Sequence, residues 1–147
     1  MDIKEKFIGA WDLKKCVIID KNNKEQKDPF FGNDSSGLIT YSHNNMVSAQ
    51  IITKQFKDYF SKKEIKDLSK LTEEEIHKGY YGFMTYYGNY KIYEDKKIIT
   101  HMNLNSSWPN IFQKDLHREF TFRGNDVLVL RTIPPEEIRE LTWLKIK

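Results

Sequence analysis

Runs of β-branched and aromatic residues recur along the chain at short intervals, each closed by a cluster of turn residues, and this punctuation predicts an all-β meander. The first run spans Trp11 to Ile19 and ends in the polar cluster Asp20-Lys21-Asn22-Asn23-Lys24. Gly37 to Tyr41 and Met46 to Ile52 follow, joined through Asn44-Asn45, where asparagine tolerates the left-handed backbone of a tight turn. Tyr86 to Tyr93 and Lys97 to Leu104 flank the turn Glu94-Asp95-Lys96, Leu116 to Phe122 and Val127 to Thr132 flank Gly124-Asn125, and the last run covers Glu140 to Ile146. Strands joined to their sequence neighbours by tight turns are antiparallel, and eight of them can close on themselves without an exposed edge. The pattern therefore predicts one domain over residues 1–147, an eight-stranded antiparallel up-and-down barrel.

A helical insertion, about residues 56–85, separates the third and fourth of these strands. Two capping boxes predict its helix starts, Ser61 with Glu64 and Thr72 with Glu75. From Ile76, the positions Tyr80, Phe83, Met84 and Tyr87 follow helical spacing and give an apolar stripe suited either to shielding the barrel wall or to covering its mouth. The loops Asp28-Pro29-Phe30-Phe31-Gly32-Asn33 and Ser106 to Gln113 set aromatic residues beside proline and read as ordered caps over an opening.

Composition narrows the chemistry. The 147 residues are 39% hydrophobic and 14% aromatic, enough for one core. A formal charge of +3, from 24 basic against 21 acidic residues, is too near balance to point to nucleic acid, and Glu73-Glu74-Glu75 and Glu136-Glu137 interrupt any basic stripe. Apolar runs such as Val127 to Leu130 are too short to span a membrane as a helix, and Met1 to Ala10 lacks a secretory hydrophobic region, which predicts a cytoplasmic protein. The single cysteine, Cys16, sits beside Val17 and Ile18 and reads as a packed thiol. His43, His77, His101 and His117 lack metal-ligand spacing, and no glycine-rich nucleotide loop or nucleophile elbow is present, so neither metal nor cofactor is expected.

Gly9-x-Trp11-x-Leu13 opens the first strand with a glycine that permits close chain approach and an indole that can plug one barrel end. Together with Gly37-Leu38-Ile39-x-Tyr41, Met46-Val47-Ser48-Ala49-Gln50, Tyr86-Tyr87-Gly88-Asn89-Tyr90, His101, Pro109-Asn110 and Leu141-Thr142-Trp143, it resembles the bacterial and fungal lipocalin-like domain family in order over nearly the whole chain. The resemblance implies an eight-stranded barrel and a small ligand, and no particular reaction. The chain departs from it between Gln55 and Leu71, which are lysine-rich and longer.

Alternate residues of a barrel strand point inward, so polar residues on apolar faces are candidate ligand contacts. Arg118 shares a face with Leu116, Phe120 and Phe122, where its guanidinium can hold a carboxylate or enolate oxygen, stack on Trp11 or Trp143, or reach solvent at the rim. The resemblance favours the stacking role, since lipocalins use an arginine to cover the tryptophan at the barrel end. His101 shares one face with Ile99 and Asn103, while Thr100, Met102 and Leu104 share the other, so alternation does not decide which set is inside. An inward His101, with an unperturbed pKa of ~6.5, is a candidate proton shuttle, with Tyr86, Tyr90 and Asn103 orienting a polar group. A histidine hydrogen-bonded within the wall is the plainer alternative. Tyr41 and Gln50 complete the candidate contacts.

The aromatic content suits a pocket for a small hydrophobic molecule. The alternative on the same residues is a cofactor-free isomerase, cyclase or lyase with His101 as acid or base and Arg118 stabilising an oxyanion. A ligand-free scaffold or homo-oligomer is the third reading, which requires a filled barrel and a large exposed apolar patch.

Overall fold

The computed structural model describes residues 1–147. A short helix α1 (Ile3–Phe7) leads into β1 (Gly9–Ile19), β2 (Glu25–Lys27), β3 (Ser36–Tyr41) and β4 (Met46–Ile52). Helices α2 (Lys54–Phe60) and α3 (Glu73–Tyr81) follow, and the chain ends with β5 (Phe83–Tyr93), β6 (Ile98–Ser106), β7 (Leu116–Arg123), β8 (Val127–Thr132) and β9 (Ile138–Lys145). The strands pair in the order β2-β1-β3-β4-β5-β6-β7-β8-β9, and β9 returns to β1 along Trp11–Lys145 to Ile19–Ile138. Eight strands thus form a closed antiparallel barrel, and β2 is an added ribbon on the far half of β1. No helix is long and apolar enough to cross a membrane.

The turn chemistry anticipated from the sequence is present. Asn45 takes φ 64° between β3 and β4, Lys97 φ 56° between β5 and β6, and Gly124 φ 62° between β7 and β8. Thr72 and Glu75 form the capping box of α3. Ser61, by contrast, ends α2 instead of starting a helix. The insertion is also shorter than the spacing predicts: Gly82 caps α3, and Phe83, Met84 and Tyr87 belong to β5, where Ile52–Phe83 and Ile51–Met84 pair with β4. Edge pairing in a closed sheet overrides the helical spacing of those apolar residues.

One end of the barrel is sealed. Phe7, fully buried on α1, packs edge-on against Tyr41, Phe120 and Phe122, and its carbonyl accepts the Trp11 indole N–H at 2.8 Å. Each such buried ring stabilises the fold by roughly 1.5–3 kcal/mol. The Lys145 ammonium lies 5.1 Å from the centre of the Trp11 ring, so a lysine of β9 covers this tryptophan. Arg118 stacks on neither tryptophan; it lines the cavity from a position that still reaches the exposed Glu136.

Two bulges reset which residues face inward. On β1 the register against β9 shifts between Leu13 and Lys15, so Lys14 and Lys15 both lie outside while Leu13 and Cys16 are both buried. On β6 the register against β5 shifts so that Asn103 and Leu104 oppose Gly88 alone, with Asn103 at φ 55°. A Cβ at Gly88 would stand 2.4 Å from the Met102 carbonyl oxygen and 3.0 Å from that of Asn103. Gly88→Ala is accordingly expected to lower stability by about 2 kcal/mol or more, seen as a fall of roughly 5 °C or more in Tm. An unchanged melting curve would show that the bulge relaxes without loss.

Candidate functional site

The bulge at Asn103 settles the face of His101. Ile99, His101 and Leu104 are all buried, whereas Asn103 is exposed and donates from its amide nitrogen to Asn89 at 3.1 Å. Asn103 therefore does not reach the interior, because the extra residue turns it outward after His101. Gln50 is likewise on the outer face of β4, whose inner residues are Val47, Ala49 and Ile51. Its amide donates to Ser48 at 2.8 Å and contacts Thr85 at 3.4 Å.

Inside the barrel, His101 is held between two tyrosines. The Tyr41 hydroxyl meets Nε2 at 2.8 Å and the Tyr86 hydroxyl meets Nδ1 at 2.7 Å. His101 is 1% exposed, and burial, reinforced by the positive charge of Arg118, lowers its pKa from 6.5 to about 3. Burial pushes the Tyr86 phenol up to about 12 and that of Tyr41 well above its ordinary value. The three groups are thus neutral at physiological pH. Tyr90 packs edge-on against Tyr41 and spends its hydroxyl on the Ser42 carbonyl at 2.7 Å, so it supports the triad without offering the interior a free polar atom.

A neutral imidazole carries one N–H for two tyrosine contacts. One tyrosine donates to the bare nitrogen, the other accepts from the N–H, and the accepting tyrosine keeps a spare hydroxyl hydrogen. With the proton on Nδ1, the spare hydrogen belongs to Tyr86, which lines the cavity. With the proton on Nε2, Tyr86 donates to the ring and shows the cavity only a lone pair. The relay can thus present a donor or an acceptor with no change of charge.

The cavity has a volume of about 200 Å³ and a mainly apolar wall that includes Ile39, Ile51, Met84, Leu130, Leu141 and Trp143. Its polar fringe comprises Tyr86, His101, Arg118, Thr132, Asn110 and Arg139. Trp143 is 2% exposed, and its indole N–H has no hydrogen-bond partner. Arg118 and His101 therefore converge on one cavity; they are diagonal neighbours, since Ile99 pairs with Arg118 and His101 with Leu116. The Arg118 guanidinium donates to the His117 carbonyl at 2.9 Å and lies 3.9 Å from the exposed Glu136 carboxylate. No cluster of three or more histidine, cysteine or acidic side chains suited to a metal occurs.

The open end carries the two loops anticipated as caps. Phe31 stacks on Trp108 at 6.3 Å, Phe30 meets the same indole edge-on at 5.0 Å, and the Trp108 N–H donates to the Tyr80 carbonyl of α3 at 3.0 Å. A second cavity of about 530 Å³ lies over this mouth, lined by Phe30, Tyr80, Tyr81 and Pro109 and sharing Phe31, Trp108 and Arg139 with the first. Asp28, fully buried, fixes the first loop by accepting from the Phe30 and Phe31 amides at 2.8 and 3.1 Å, from the Cys16 thiol and from Arg139. The role of Arg139 is missed by the motif reading, although Arg139, Leu141 and Trp143 follow a strict period of two that marks one inner face.

His101 yields a sign-definite pH effect. Its folded-state pKa of about 3 lies below its unfolded value near 6.5, so the unfolded chain takes up a proton that the folded chain refuses. The stability that follows is present above about pH 6.5 and is lost as the pH falls toward 3. Denaturant melts between pH 7 and 4 should show wild type losing more stability than His101→Gln; parallel losses in the two proteins would sink this assignment.

Residues 8–146 match the lipocalin-like domain family. No curated protein matches the chain in sequence. Among solved structures, it is similar to a de novo designed fluorescence-activating β-barrel, at 9% identity over 99% of both chains with a TM-score of 0.48. It is also similar to a redesigned β-barrel, at 7% identity over 98% of this chain and 95% of that one with a TM-score of 0.47. The fluorescent protein UnaG is similar at 7% identity, over 98% of this chain and 100% of its own, with a TM-score of 0.43. These values are too low for any of the three to inform the chemistry of the cavity. The family match and the closed eight-stranded meander agree: this chain belongs to the lipocalin-like domain family.

Proposed function

We propose that this barrel binds one small, mainly hydrophobic molecule in the cavity beneath the Phe31–Trp108 cap. The observation that carries the reading is the cavity itself. Protein interiors are packed so closely that few voids exceed a water molecule, yet about 200 Å³ stays open here, under a wider vestibule. The space opens to the vestibule, so water enters it, but along its mainly apolar wall that water finds few hydrogen-bond partners. A guest that displaces it gains about 25 cal/mol per Å² of apolar surface buried. Tyr86 and Arg118 are the polar contacts, while Tyr41 and His101 position the Tyr86 hydroxyl from behind.

Binding is favoured over turnover by the state of His101. Both ring nitrogens are engaged by tyrosine hydroxyls, and a pKa of about 3 makes the imidazole a poor proton acceptor near neutral pH. The isomerase, cyclase or lyase reading needs a base poised close to the working pH, and the cavity offers none at this position.

Native mass spectrometry of the purified protein tests the proposal, with a thermal-shift screen of apolar probes beside it. Wild type should carry one guest per chain, and its Tm should rise with probes that fit. Ala49→Phe, which places a ring into the cavity wall, should abolish both effects, whereas Gln50→Leu on the outer face should keep them. A wild-type protein without any adduct and indifferent to every probe would remove the binding reading.

A further inference from the structure

We propose that the guest is an organic acid, with its carboxylate held inside the barrel by Arg118 and its hydrocarbon part on the apolar wall. The inference rests on the binding reading above and adds the chemical class of the ligand. It starts from the inventory of charge: the cavity is lined by two arginines and by no aspartate or glutamate.

The two cations are not equivalent. Arg139 is already neutralised, since its guanidinium donates to the fully buried carboxylate of Asp28 and lies 5.5 Å from the centre of the Phe31 ring. Arg118 has no such partner. It holds one backbone carbonyl at 2.9 Å, and the nearest acid, Glu136, is 3.9 Å away on a side chain that is 63% exposed. The Arg118 side chain is 23% exposed, and its remaining guanidinium donors have no partner in the fold and stay open to the solvent-connected cavity. Its charge reaches the interior, where it disfavours the protonated form of His101 and favours the ionised forms of Tyr41 and Tyr86.

Beside Asn110, whose amide can donate or accept, the cavity holds further donors. The Trp143 indole N–H is a buried donor without an acceptor, in a residue that lines the same cavity. Indole nitrogen can only donate, so whatever satisfies this atom, water or guest, must bring an acceptor. Tyr86 becomes a further donor whenever the His101 proton sits on Nδ1. A cavity that supplies donors and positive charge repels an amine, leaves donors unsatisfied around a hydrocarbon and matches an anion with several lone pairs. The cavity volume of about 200 Å³ sets the scale of the guest, roughly ten to fifteen non-hydrogen atoms at interior packing density.

Calorimetric titration with decanoate, decanol and decylamine at neutral pH separates the ligand class from the existence of binding. The three share a chain and differ in the head group. Decanoate should bind at least about tenfold more tightly than decanol, with decylamine weakest. In Arg118→Met the ratio of acid to alcohol affinity should collapse toward one, and Arg118→Lys should restore part of it, which a merely structural role for the arginine would not do. Equal affinity for acid and alcohol in wild type, or an acid preference that survives Arg118→Met, overturns the organic-acid inference and leaves the binding reading standing. Binding of none of the three overturns the organic-acid inference, and the binding reading falls with it when native mass spectrometry also finds no adduct.

Discussion

At Gly88 two backbones come closer than any side chain allows, and the interior depends on that approach. The space belongs to the Met102 carbonyl oxygen, which a Cβ would meet at 2.4 Å. Because Gly88 yields it, β6 can set two residues, Asn103 and Leu104, against one. Without the extra residue, strict alternation would place His101 and Leu104 on opposite faces. With it both are buried, the imidazole reaches the hydroxyls of Tyr41 and Tyr86, and the upper half of the strand still presents an apolar inner face. A local departure from sheet geometry is therefore what allows a polar triad to share a wall with an aliphatic cavity.

The triad illustrates how polar groups are tolerated in such a place. Each ring nitrogen of His101 has a partner, and burial keeps the histidine and both phenols in their neutral forms. The charged residues at the cavity are treated differently. Arg139 is compensated by Asp28, which also ties down the Phe30 and Phe31 amides, so a single carboxylate organises the cap and one side of the mouth. Arg118 faces only the exposed Glu136, and the Trp143 N–H is the one buried side-chain polar atom without a partner. In a fold that otherwise satisfies its buried side-chain polar atoms, an imbalance of one sign is informative.

Most of the fold was legible in the sequence because it rests on short-range rules. Asn44-Asn45, Glu94-Asp95-Lys96 and Gly124-Asn125 are turns whose chemistry is local, and the strands between them could only pair in order. Trp11 as the plug of one end was also readable, though the Phe7 that completes the plug was not, since α1 is a five-residue helix with no side-chain cap. Helical spacing runs on past the end of α3 through Phe83, Met84 and Tyr87, because apolar spacing near a helix end also fits a strand start. The inward set was harder. Period-two counting placed Arg118 with the interior correctly, but it assigned Asn103 to the face of His101 because a bulge leaves only faint traces in composition. Those traces are an asparagine able to take positive φ and a glycine on the neighbouring strand. Gln50 and Tyr90 show a second limit: an amide or hydroxyl that looks free in a sequence is often spent on a neighbour that only the folded chain reveals.

Cys16 carries a practical consequence. Its sulfur is packed beneath the wall, 3% exposed, and the thiol donates to the Asp28 carboxylate, whose negative charge joins burial in opposing thiolate formation. Alkylating reagents act on thiolates, so the burial and the neighbouring carboxylate both slow modification of the native sulfur. A cysteine engineered at the rim is therefore the preferred position for a dye, whose fluorescence would report whether an added probe molecule enters the mouth.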